Sequence, residues 1–119
     1  MKKIALIAFL LFCVSFLKAQ GNLQFNQIIF YDIAPNATQA ITVPAGKVWK
    51  IESVSSGGSN STPLYLRNSG GAYIAHFNTT SYSSSSFPFW LPTGFAGTLV
   101  NLHPSTRYTM SIIEFNVVP

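Results

Sequence analysis

The sequence predicts an all-β chain, a small antiparallel β-sandwich, jelly-roll-like, of seven or eight strands behind an N-terminal signal peptide. Three observations carry the prediction. From Gln20 onward, 34 of 100 residues are Ser, Thr, Asn or Gln and only seven are charged; these short polar side chains compete with helix hydrogen bonding. No segment of that region gathers Ala, Leu, Glu and Lys into a run long enough for an amphipathic helix. Pro, Gly and Asn cut the chain about every 8 to 15 residues, and β-branched and aromatic residues fill the intervals.

The first element is the leader, residues 1–19. Met1-Lys2-Lys3 is basic, Ile4 to Leu17 is almost wholly apolar, and Ala19 supplies the small residue before a cut. The apolar run falls short of the roughly 20 residues a membrane-spanning helix needs, so no membrane insertion is expected after cleavage. Cys13 follows Phe12, where lipid attachment requires a small residue, and no cysteine occurs after it. Disulfides, thiol catalysis and Cys-ligated zinc are thereby excluded for residues 20–119, read as a single domain. An exported protein is expected: extracellular, at the cell surface or periplasmic. Export also disposes of the basic character. The formal charge is +4, but Lys2, Lys3 and Lys18 belong to the leader. The domain keeps Lys47, Lys50, Arg67 and Arg107 against Asp32, Glu52 and Glu114, a net +1, which is no footprint for nucleic acid.

Strands follow in order. Phe25–Ile33 is the first, ended by a turn at Asn36. Thr38–Val43 and Lys47–Ser55 flank Pro44-Ala45-Gly46, with Trp49 and Ile51 on one face and Lys50 and Glu52 on the other. Leu64–Arg67 and Ala72–Asn78 form a hairpin across Asn68-Ser69-Gly70-Gly71, with Tyr73, Ala75 and Phe77 sharing a face. A serine-rich loop over 79–86 leads to the aromatic strand Phe87–Leu91, and Thr98–Leu102 and Thr106–Val118 close the chain. The apolar-Pro-X-Gly sequence of Val43–Gly46 returns 48 residues later as Leu91-Pro92-Thr93-Gly94. Pro is expected at the second turn position and Gly at the fourth. Two half-domains with matching turns suit a jelly roll.

The stretches Ile41–Val54 (ITVPAGKVWKIESV) and Ser111–Val117 (SIIEFNV) are similar to segments of short secreted β-sandwich proteins of the Bacteroidota. Lys18-Ala19-Gln20 likewise resembles the ends of signal peptides in that group. The resemblance covers about a quarter of the chain. It implies compartment and fold and carries no active-site residue.

Catalysis needs convergent titratable groups. His76 and His103 are 27 residues apart, neither lies within five positions of a carboxylate, and no zinc-binding motif or Gly-X-Ser-X-Gly elbow occurs. The expectation is a chain that is not an enzyme, with no metal and no cofactor. The triplets starting at Asn36, Asn60 and Asn78 are formal glycosylation acceptors, and so Ser/Thr-rich a chain holds several by chance.

Binding remains. Ile28-Ile29-Phe30-Tyr31 is apolar on both faces, and the last strand carries Tyr108, Met110 and Ile112 on one face and Ile113, Phe115 and Val117 on the other. Either a β-bulge switches the phase or both faces are covered. The leading expectation is a non-catalytic structural or protein-interaction subunit of a cell-envelope or extracellular assembly. It would self-associate or dock a protein partner through Ile28, Phe30, Tyr31, Ile113, Phe115 and Val117. The alternative is a small glycan-binding module using Tyr82, Phe87 and Trp90, whose aromatic faces would stack on sugar; core burial of Phe87 and Trp90 is the competing reading.

Overall fold

A computed structural model of the protein describes residues 22–57, 62–78 and 87–119. The expected signal peptide (1–19) and Tyr82 lie outside the described residues, as does the whole serine-rich loop over 79–86. Eight strands occur among the described residues: β1 (Asn22–Ile33), β2 (Thr38–Thr42), β3 (Lys47–Ser56), β4 (Leu64–Asn68), β5 (Tyr73–Phe77), β6 (Phe89–Leu91), β7 (Ala96–Asn101) and β8 (Tyr108–Val118). They form two sheets of four, ordered β1-β8-β3-β6 and β2-β7-β4-β5, with every pairing antiparallel. The pairs β1–β8, β2–β7, β3–β6 and β4–β5 are those of one long hairpin. Rolling it up also brings β8 beside β3 and β7 beside β4. The predicted sandwich is therefore a jelly roll.

Alternation supplies the core. Trp49, Ile51 and Val54 of β3, Tyr108, Met110 and Ile112 of β8, and Ile33 of β1 face inward from the first sheet. Ile41, Leu64, Leu66, Phe77 and Leu99 meet them from the second. A strict period of two fails at three places, each a bulge with one unpaired residue. Asn26 is the extra residue of β1, between the pairs Phe25↔Phe115 and Gln27↔Glu114. Glu52 is extra in β3, which moves the inward set from Trp49 and Ile51 to Val54. Ile74 is extra in β5, and Tyr73 consequently leaves the face of Ala75 and Phe77 to pack on Tyr65, ring centroids 5.2 Å apart. The phase switch expected within the last strand thus belongs to its neighbours, and β8 runs without a register break against Gln27–Ile33.

The Pro-X-Gly turns are in register with each other in space. Lys47 N–H donates to the Pro44 carbonyl at 3.2 Å and Phe95 N–H to the Pro92 carbonyl at 3.1 Å. Pro is thus the first turn residue, not the second, and Gly the third, not the fourth. Gly46 and Gly94 have φ of 70° and 76°, the positive values that the third position of a type II turn requires. The two turns also bond to one another: Val43 N–H to the Phe95 carbonyl at 2.8 Å and Gly94 N–H to the Val43 carbonyl at 3.1 Å. Between them they carry the β2–β3 and β6–β7 crossovers from sheet to sheet.

The other pair of crossovers, β1–β2 and β7–β8, is held by Asn101. Its buried amide donates to the carbonyls of Ile33 (3.3 Å), Ala34 (2.9 Å) and Thr106 (2.8 Å). Its oxygen accepts from His103 N–H at 2.9 Å. Asn36, in the first of these crossovers, has a φ of 54°, so the predicted turn residue adopts the left-handed conformation Asn tolerates.

Candidate interaction face

The outward surface of the β1-β8-β3-β6 sheet gathers side chains that would ordinarily be covered. β1 pairs with β8 as Leu23↔Val117, Phe25↔Phe115 and Ile28↔Ile113, and opposite residues of an antiparallel pair share a face. Continuing across the sheet, Val48 lies opposite Phe115 and Lys50 opposite Ile113, and Trp90 of β6 lies opposite Lys50. The result is an apolar surface of Leu23, Phe25, Ile28, Phe30, Trp90 and Val117, each 41–68% exposed, with Ile113, Phe115 and Val48 half-buried between them. Trp90 leans on Phe115 at 5.8 Å between ring centroids, and Lys50 reaches over the Trp90 ring at 5.8 Å. Charge on this sheet is paired locally. Lys50 bonds Glu52, and Arg107 bonds Asp32 at 3.0 Å beyond the far end of the patch.

Of the six residues expected to make an interface, Ile28, Phe30, Ile113, Phe115 and Val117 occupy this one face. Tyr31 does not. As the neighbour of Phe30 along a strand it must point the opposite way, and it packs inside with its ring 6.0 Å from that of Trp49. The two strands also differ in position, since β1 is an edge strand and β8 an interior one. Sequence reading missed Leu23, Phe25 and Trp90. The Asn26 bulge puts Phe25 and Ile28 three residues apart on one face, so a period of two separates what the fold unites. Trp90 joins only through the pairing of β6 with β3.

The alternative ligand-binding set does not assemble among the described residues. Phe87 stacks on Phe77 at 5.4 Å against the core, with Phe89 edge-on to the same ring at 5.8 Å. Trp90 stands on the outer face instead. Phe87 is thus a packing residue and Trp90 a surface one.

Titratable groups are scattered. Among the described residues no three His, Cys, Asp or Glu side chains come together in a metal-holding group. His76 is exposed on β5, opposite Tyr65. His103 is occupied in its loop, where Nδ1 accepts from the backbone N–H of Ser105 (3.2 Å) and Thr106 (2.9 Å). The one buried carboxylate is Glu114, inward on β8 and 3% exposed. Oε1 accepts from Asn26 Nδ2 at 2.6 Å and Gln27 Nε2 at 3.0 Å, and Oε2 accepts from Trp49 Nε1 at 2.7 Å. Burial pulls its pKa upward, but these three donors and the charge of Lys47 outweigh burial and hold the carboxyl below its usual value of 4.5. Burial and the Glu114 charge in turn raise the Tyr31 phenol above its ordinary range. With its oxygens bonded to Asn26, Gln27 and Trp49, Glu114 ties the bulged end of β1 to β8 and β3.

No protein-family model matches the chain, and comparison with curated proteins finds no significant match.

Proposed function

We propose that this protein is an exported, non-catalytic interaction subunit that docks a protein partner through the outer face of the β1-β8-β3-β6 sheet. One observation carries the reading: the contiguous apolar surface formed by Leu23, Phe25, Ile28, Phe30, Ile113, Phe115, Val117 and Trp90. Folded monomers rarely leave so broad an apolar patch in water, because each large side chain left exposed forgoes roughly 1.5–3 kcal/mol of burial. The face is built on the open surface of a sheet, which suits another protein surface better than a small molecule. Export to an envelope or extracellular assembly rests on the leader-like residues 1–19.

Affinity purification of the protein from its native host, as wild type and as Phe30→Asp, tests the reading. The expected result is an associated polypeptide, a second copy or another chain, that the variant loses while its circular dichroism stays unchanged. Equal recovery of all associated chains with both proteins would overturn it. A glycan array on the same pair gives the alternative its chance: saturable sugar binding that Trp90→Ala abolishes would replace the protein partner by a glycan.

A further inference from the structure

We infer that the partner on this face is a second copy of the chain, bound face to face about a twofold axis; the inference rests on the interaction-face reading above. Three observations lead there. The first is area. Taking aromatic side chains at 150–250 Å² and aliphatic ones somewhat less, the exposed parts of Leu23, Phe25, Ile28, Phe30, Trp90 and Val117 amount to about 600 Å². A standard interface removes about 800 Å² from each partner. The apolar centre of the face and a modest polar rim therefore supply what a stable dimer needs, with no contribution from elsewhere.

The second observation is charge. A surface shaped for a different protein ordinarily offers unpaired charges that steer and register the partner. Here Lys50 is tied to Glu52 and Asp32 to Arg107, both pairs within one subunit. A copy of the same face meets no unbalanced charge, and the domain's net +1 gives little repulsion between copies. Self-complementarity is what an isologous contact demands.

The third is the contrast with the opposite sheet. The outer surface of β2-β7-β4-β5 carries Thr38, Tyr65, Arg67 and His76 between its apolar residues, and its exposed large apolar residues, Tyr73 and Ile74, are confined to the edge strand β5. The two sides of the sandwich are built differently, and only one of them calls for a cover. Packing two such sheets would stack four β layers, with Phe25, Phe30 and Trp90 of each copy near the centre at the usual sheet spacing of about 10 Å.

Sedimentation velocity and Trp fluorescence on the full exported protein, over a thousandfold range of concentration, test this. The chain has two tryptophans; Trp49 is buried within the subunit and Trp90 reports on the face. The expected wild type sediments at twice the chain mass at micromolar concentration, and its emission shifts to longer wavelength on dilution as Trp90 enters water. Trp90→Phe should lose that shift. Phe30→Asp should weaken association at least a hundredfold, while Tyr73→Asp, on the other sheet, leaves it within threefold. A wild type that stays monomeric up to about 100 μM, with emission independent of concentration, would end the dimer. If that monomer still captures another polypeptide that Phe30→Asp loses, the interaction face survives and only the second copy fails. If it captures nothing, both readings fall. The emission of the wild type decides the matter even where a variant does not fold.

Discussion

Glu114 stands at the fourth inward position of β8, after Tyr108, Met110 and Ile112, where an apolar side chain would continue the core. The bulge at Asn26 explains why a carboxylate is tolerated. It brings two amides, from Asn26 and Gln27, onto one oxygen, while Trp49 uses the other. Glu114→Gln removes the charge and turns a donor toward donors. It is expected to cost about 1–3 kcal/mol near neutral pH, chiefly from the buried Trp49 N–H left unpaired. The sign of the pH dependence follows from the lowered pKa. The charged form is favoured in the folded state, so its stabilisation is present above 4.5 and is lost as pH falls through the folded value below that. Urea unfolding of both proteins from pH 7 to pH 3 should show a gap that narrows in the acid range; parallel curves would contradict the assignment. Asn101→Ala removes three donated bonds and one accepted bond that tie two crossovers together. A loss of about 2–4 kcal/mol in the same assay is expected. Neither role was legible in the sequence. Glu114 reads as one of three scattered acids and Asn101 as one of eight asparagines after the leader, because their partners lie up to 88 residues away.

At the scale of elements, alternation and turn residues made all eight strands readable, and the misses are physical. The seventh strand begins at Ala96 rather than Thr98 because Gly97 looks like a breaker. In the fold it is a close approach: a Cβ there would stand 2.6 Å from the Arg67 carbonyl oxygen and under 3 Å from the Phe95 ring. The first strand starts at Asn22, three residues early, and the bulge conceals the periodicity of that extension. Bulges also explain the misread face of Tyr73 and the omission of Phe25 from the interface set, since no local sequence signal marks where a strand gains a residue. The crossovers invite a sharper test. Gly46 and Gly94 sit at positive φ with open space around each Cβ position, so substitution there reports backbone strain alone. Gly94→Ala and Gly46→Ala should each lower stability by about 1–2 kcal/mol in thermal or denaturant unfolding. Because the two turns share hydrogen bonds, the double variant should depart from additivity. Gly97→Ala should cost more than either, through the clash with Arg67 and Phe95.

For the whole molecule, the inside and the outside of the sandwich make opposite demands. Leu66, fully buried between the sheets, should lose about 2–5 kcal/mol on substitution by Ala. Phe30→Ser, at the most exposed large side chain of the outer face, should change the intrinsic stability of the subunit by no more than about 0.5 kcal/mol while altering association. Denaturant unfolding at the lowest workable concentration separates the two; a Phe30 effect as large as that of Leu66 would make the face part of the fold rather than a surface. The sandwich was legible because its strands obey local rules. The composition of the face was only half legible, because Leu23, Phe25 and Trp90 join it through pairings that the chain reveals only when rolled up.

The pairing of β1 with β8 sets the order of events when the chain first becomes structured. Among the described residues, β1 is the first strand and has β8, the last one, as its sole neighbour in the sheet, from Asn22↔Val118 to Ile33↔Tyr108. A polypeptide emerging from a ribosome or a pore N-terminus first therefore offers β1 to its surroundings, apolar and unpaired along both edges, until the last dozen residues are free. No shorter length of chain completes the first sheet. Release ending before Tyr108 should yield a polypeptide without stable structure, and restoring Tyr108–Val118 as a separate peptide should recover it. Such non-local closure belongs to the millisecond-to-second class of folding rates. During that interval the bare strand is the part of the molecule most in need of an escort.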